Sequence, residues 1–207
     1  MRNYVVEFIG TFFLMLAVGM VAINPTPLWF SPIAMGAMVM VMIYAGGQSP
    51  VAHYNPAVTL AVFIRGKIQL KEAVFYIIVQ VLAAVAVSYI VLYLKGFPTD
   101  TPTLKPEAGK AFTAEFLITF ALCYVFLNVA TSKNSEGNSY FGLAIGFTVI
   151  AGAYAVASSS GAFFNPAVTI GQTVIEKNSP DNLWIYLVSQ FLAGIAAGLV
   201  YRFTNTE

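Results

Sequence analysis

The chain has 207 residues, of which 58% are hydrophobic and only 9% charged, with a formal net charge of +1. A soluble domain carries about 25% charged residues, so this composition excludes a protein that covers itself with a water-facing surface. It also excludes a nucleic-acid binder, since no basic face exists to gather phosphates.

A helix needs about 20 apolar residues to cross the hydrocarbon of a bilayer, and six runs reach or approach that length: roughly 4–23, 32–47, 72–94, 111–131, 139–158 and 183–203. The first follows Arg2 without a small-residue cleavage site and reads as a retained span rather than a signal peptide. The second is short, its start crowded by Pro25, Pro27 and Pro32. After it comes 51–64, too short to cross and too apolar for an aqueous loop, holding Asn55-Pro56-Ala57. A second such piece, 161–175, holds Asn165-Pro166-Ala167 between the fifth and sixth spans. Asn favours the N-cap and proline the first helical position, so each piece reads as a turn dipping into the membrane, then a half-helix beginning at Pro56 or Pro166. Irregular backbone at that depth needs burial by protein or access to water, and two such pieces imply a cavity. The segment 95–110 is the main aqueous connection. The lone cysteine, Cys123, sits in an apolar run and reads as a packing residue.

The two halves repeat. Gly36, Asn55, Tyr76 and Gln80 recur as Gly146, Asn165, Tyr186 and Gln190 at one constant offset, and Glu7-Phe8 matches Glu115-Phe116. The chain thus reads as one transmembrane domain over 1–207, with repeat one over about 1–95 and repeat two over about 111–207. Each repeat holds three crossings, an odd number, so the second inserts upside down relative to the first. The expected fold is an all-α membrane protein with six transmembrane helices and two re-entrant half-helices whose tips meet inside the bilayer. Arg2, Arg65, Lys67, Lys71, Lys133 and Arg202 fall on one side, and Lys95, Lys105, Lys110 and Lys177 on the other. By the positive-inside rule this slight excess places both termini in the cytoplasm, in a multi-pass protein of the cell membrane.

Helix N-termini carry unpaired N–H groups and about half a positive charge each. Two facing tips make a field hostile to cations, while Asn55 and Asn165 offer donors, and the carbonyls of Val51, Ala52, His53, Gly161 and Phe163 offer acceptors. A neutral hydrogen-bonding solute can exchange partners along such a track.

The Glu-Phe starts at Glu7 and Glu115, the run Gly47-Gln48-Ser49-Pro50-Val51-Ala52-His53-Tyr54-Asn55-Pro56-Ala57-Val58-Thr59, the run Ala144-Ile145-Gly146-Phe147-Thr148-Val149 and the second Asn-Pro-Ala together resemble the aquaporin (major intrinsic protein) family over essentially the whole chain. The resemblance implies a right-handed six-helix bundle, a pore in each protomer and a homotetramer. It implies a passive channel for water or small uncharged solutes, with ammonia, carbon dioxide, glycerol and urea as further candidates. It also implies an outer selectivity filter at Met35, Ala153, Ala162 and Val168. Here the chain departs from the family: Val168 stands where an Arg is frequent and Ala153 where water-selective members carry His, so the filter is expected to be wide and apolar. Thr169 stands where glycerol facilitators typically have Asp.

Glu7 and Glu115 are ionisable groups inside spans, which raises the thought of a proton relay; the resemblance implies that each braces its re-entrant loop through backbone N–H groups. His53 is the sole histidine and reads as a packed loop residue whose carbonyl, not its ring, faces the passage, with a pH-sensing ring as the other reading. Gly36, Gly146, Gly194 and Gly198 permit close helix crossing, the last two facing either the bundle or a neighbouring subunit. Trp29 and Trp184 read as interfacial anchors. Neither a metal cluster nor a nucleophile–base pair is present, so an enzyme is not expected, and no cofactor. The expected partners are lipid and small neutral solutes. A non-conducting scaffold on the same fold and a proton-coupled transporter remain the alternatives.

Overall fold

The computed structural model describes residues 1–23, 30–47, 52–98 and 103–205. Val51, Pro25, Pro27 and Trp29 lie outside the described residues. Six helices make the bundle: α1 (Arg2–Ala22), α2 (Ser31–Gly46), α4 (Leu70–Leu94), α5 (Ala108–Ala130), α6 (Phe141–Ser160) and α8 (Leu183–Thr204). Two half-helices, α3 (Pro56–Arg65) and α7 (Pro166–Val174), sit between their second and third members in each repeat. Five of the helices are long and apolar enough to cross a membrane. The exception is α2, whose 16 residues span roughly 24 Å at 1.5 Å per residue, less than the ~30 Å of hydrocarbon.

Both half-helices start for the same local reason. Asn55 and Asn165 adopt extended backbone, and their side-chain oxygens accept from the N–H of Ala57 and Ala167, each at 2.9 Å. Pro56 and Pro166 take the first helical position, where a missing N–H costs nothing. At its far end α3 closes on Gly66 with φ of +89°, a left-handed conformation that glycine adopts without a Cβ clash. Arg65 then ties that end to the bundle. Its Nε donates to Thr131 Oγ1 at 2.7 Å, one Nη donates to the Thr131 carbonyl at 2.9 Å, and the guanidinium lies 4.9 Å from the Tyr201 ring centre.

Within the repeats, α1 packs on α4 and α5 on α8; between them, α2 packs on α6. The half-helices are exchanged: α3 lies chiefly against α8 and α7 chiefly against α4. Close approach depends on missing side chains. A Cβ at Gly36 would stand 2.5 Å from the Gly146 carbonyl oxygen, so α2 and α6 touch backbone to backbone. A Cβ at Gly194 would lie 2.5 Å from the Ala57 carbonyl oxygen, and Gly198 meets Ile64 and Ala61. Of the two readings offered for this glycine pair, the structure turns both residues toward α3 rather than outward to a neighbouring subunit.

Candidate functional site

The loop before each half-helix runs through two left-handed residues. Ala52 and Tyr54 have φ of 67° and 52°, and Ala162 and Phe164 have 61° and 53°. A non-glycine residue in that region costs about 1–2 kcal/mol, so the loops need outside support. Glu7 on α1 supplies it to the first loop, accepting from His53 N at 2.7 Å and Tyr54 N at 2.8 Å. Glu115 on α5 does the same for the second, accepting from Phe163 N at 3.0 Å and Phe164 N at 2.7 Å. Both carboxylates are wholly buried. Gln80 Nε2 donates to Glu7 and Gln190 Nε2 to Glu115, each at 2.8 Å, and Ser160 Oγ adds a bond to Glu115 at 2.7 Å. With three and four donors respectively, the carboxylates stand as fixed acceptors.

The two caps cross. Asn55 Nδ2 donates to the Phe164 carbonyl at 2.9 Å, and Asn165 Nδ2 donates to the Tyr54 carbonyl at 2.8 Å. Each amide oxygen caps its own helix, one N–H locks the opposite loop, and one N–H remains. The tips of α3 and α7 are therefore joined, with their positive ends at one place. Among the described residues, nothing donates to the carbonyls of Ala52, His53, Gly161, Ala162 or Phe163.

Beside the crossed caps lies a narrow cavity of about 40 Å³. Asn55, Asn165 and His53 contribute its polar edge, and its walls are apolar, with Leu14, Val39, Phe126 and Val149 among them. A second, larger cavity of about 490 Å³ adjoins it. Val18, Met35 and Phe163 line both and so mark the junction. Of the four filter positions carried over by resemblance, Met35 stands at this junction, Ala153 and Ala162 line the outer cavity, and Val168 lines the inner one. Phe163 stacks on Tyr186 with ring centres 4.7 Å apart, adding an aromatic ring at the junction that the filter assignment did not include.

The His53 ring does more than the sequence reading allowed. It packs edge-on against Tyr76 and Phe126 with centroids 5.3 and 5.5 Å apart, and it also lines the inner cavity. Gln80 Nε2 donates to Thr59 Oγ1 at 2.9 Å, and the same Thr59 Oγ1 lies 3.2 Å from His53 Nδ1. The ring Nε2 is buried and has no hydrogen-bond partner among the described residues. In the second repeat Phe163 occupies the matching position, and the Thr169 hydroxyl bonds the Asn165 carbonyl at 3.1 Å instead. Gln80, Gln190, Thr59 and Thr169 were visible in the sequence only as repeated letters; their bonds join residues far apart in the chain.

A model of the major intrinsic protein family matches residues 1–201. The chain is 34% identical to a glycerol uptake facilitator protein-like 6 of Lactiplantibacillus plantarum over 222 residues, covering 100% of each protein. It is 33% identical to aquaporin NIP1-1 of Zea mays over 218 residues, covering 99% of this chain and 76% of that one. The aquaglyceroporin structure from Plasmodium falciparum superposes with a TM-score of 0.82 at 22% identity, covering 97% of this chain and 94% of its own, a likeness of fold. The re-entrant half-helices, the inverted repeat and the matched residues together place this chain in the major intrinsic protein family of passive membrane channels.

Proposed function

We propose that the chain conducts water and small uncharged solutes, glycerol and urea among them, through a path within each protomer. The path runs from the outer cavity past Met35 and Phe163, over the crossed Asn55 and Asn165 caps and along the loop carbonyls. The observation that carries this reading is a largely apolar cavity whose polar edge holds the two caps. Apolar walls give a solute nothing to cling to, while the remaining cap N–H groups and the unpaired carbonyls replace the hydrogen bonds it sheds. The joined positive ends of α3 and α7 oppose a cation at the point where its hydration is thinnest.

Breadth toward solutes larger than water follows from the filter positions. Val168, Ala153 and Ala162 bring neither bulk nor a side-chain donor, and the likeness to a glycerol uptake facilitator along its full length points the same way. The backbone carbonyls of Ala52, His53, Gly161 and Phe163 act as acceptors, and Glu7 and Glu115 as loop braces. A homotetramer, with both termini cytoplasmic, completes the reading. Stopped-flow light scattering on proteoliposomes tests it: vesicles with the protein should shrink faster than protein-free vesicles under an impermeant osmolyte, and should re-swell faster in glycerol. Rates equal to those of protein-free vesicles in both assays would remove the channel reading.

A further inference from the structure

The passage changes width at one place. The inner cavity holds about 40 Å³ and the outer one about 490 Å³, and Val18, Met35 and Phe163 line both. Met35 is one of the four filter positions, whereas Val18 and Phe163 are not. Met35 and Phe163 keep 8% and 6% of their surface accessible, so a solute can touch them. Ala153, Ala162 and Val168 each line one cavity only. The Phe163 ring is seated from two sides. Its centre lies 4.7 Å from that of Tyr186 with the planes inclined by 32°, and the Tyr186 hydroxyl is itself fixed by donating to the Ser160 carbonyl at 2.8 Å. A Cβ built on Gly161 would stand 3.3 Å from Phe163 Cε1 and 3.5 Å from Cζ, so the far edge of the ring reaches Gly161, in the wall of the outer cavity. The backbone of Phe163 is held separately, its N–H donating to Glu115 at 3.0 Å, so the course of the loop does not depend on the ring. The first repeat has no such arrangement: His53 packs on Tyr76 and Phe126 and lines the inner cavity without reaching the outer one.

We infer that the Phe163 ring, held on Tyr186, is the size-selecting element of the passage: with Val18 and Met35 it forms an apolar collar where the outer cavity narrows, and it supplies the bulk that Ala153, Ala162 and Val168 do not. The breadth allowed by those small residues therefore has an upper limit. Water, urea and glycerol pass the collar, and linear polyols of four or more carbons are turned back. The collar's side chains are hydrocarbon and thioether and carry no donor. Each further hydroxyl on a solute must shed its water there without a side-chain replacement, which adds a dehydration cost to the steric one. This inference rests on the channel reading above.

The test uses proteoliposomes of the full chain, with water, glycerol and erythritol fluxes measured by stopped-flow light scattering for wild type, Phe163→Ala, Phe163→Leu and Phe163→Trp. Wild type should pass erythritol no faster than protein-free vesicles do. Phe163→Ala keeps the backbone carbonyl and removes the ring, and should raise the erythritol-to-water ratio by about tenfold, the low end of what one misfit methylene costs in an apolar pocket. Phe163→Leu keeps an apolar side chain on Tyr186 but loses the ring edge over Gly161. It should raise the same ratio by less, and it carries the test alone if the alanine variant loses its size-exclusion peak. Phe163→Trp should lower the glycerol-to-water ratio several-fold. Wild-type erythritol flux equal to that of glycerol, or an erythritol-to-water ratio that neither Phe163→Ala nor Phe163→Leu moves, would overturn the inference while leaving the channel intact. No wild-type water or glycerol flux above protein-free vesicles would instead bring down the channel reading on which it stands.

Discussion

At the scale of single residues, the two sides of the crossed caps differ between repeats at His53, matched by Phe163, and at Tyr54, matched by Phe164. His53 brings an imidazole to the inner cavity, whereas Phe163, its counterpart, brings a phenyl ring to the junction. Replacing His53 by Phe makes that position alike in both repeats: the Thr59 hydroxyl should swing to the Asn55 carbonyl as Thr169 does to Asn165. One neutral hydrogen-bonding group contributes about 0.5–1.5 kcal/mol, so if the imidazole serves the passage His53→Phe should lower water flux by about twofold to tenfold in stopped-flow assays. An unaltered rate would show that the ring serves packing alone. At Val168 the change runs the other way. An Arg introduced there projects bulk and donors into the inner cavity, so Val168→Arg should cut glycerol and urea passage several-fold and spare water. An unchanged solute-to-water ratio would count against placing Val168 at the filter. The chemistry of Asn55 and Asn165 was legible from the Asn-Pro pairs, because a cap and a first-turn proline are local rules. The direction of the His53 ring was not. It depends on a hydroxyl six residues away and an amide on another helix, neither of which leaves a mark on local sequence pattern.

At the scale of elements, the loops before α3 and α7 are strained segments held in shape by one buried carboxylate each. Glu115 collects four donors, and an amide there would aim its own N–H groups at some of them. Leaving a buried donor without its acceptor costs about 1–3 kcal/mol. Glu115→Gln should therefore lower thermal stability in a fluorescence-detected size-exclusion assay, with the second loop the first to loosen. Leu117→Ala, two residues on and facing outward, should leave that stability nearly unchanged. Arg65 clamps the far end of α3 by similar means, and Arg65→Ala should destabilise by about 1–3 kcal/mol through the exposed ends of those lost bonds. The long helices were legible because continuous apolar runs have no other solution in lipid. The start of α5 was not, and it begins at Ala108 rather than near 111, because Gly109 and Lys110 dilute the hydropathy without stopping the helix. The short length of α2 was visible, since prolines crowd its approach.

At the scale of the whole molecule, the repeat was readable from recurring Gly, Asn, Tyr and Gln positions, yet the exchange of half-helices between repeats was not, since sequence symmetry does not say which copy a stub leans on. Gly194 is the clearest case. Its pattern fits any small-residue contact, and only the structure sets it against the Ala57 carbonyl of the other half. A Leu at Gly194 would push α3 off α8, and Gly194→Leu should abolish the folded peak on size exclusion, while the outward-facing Leu192→Ala should not. The same exchange bears on how the chain is made. Asn55 finds its acceptor on Phe164, and α3 finds its bed on α8, both synthesised long after the first loop leaves the ribosome. Until the last span is threaded, the first stub lacks its chief bed, although Glu7 and Gln80 can already hold its loop and first turn. The inter-repeat locks at the mid-membrane tips are thus late-formed contacts, available only once the second half of the chain is in place.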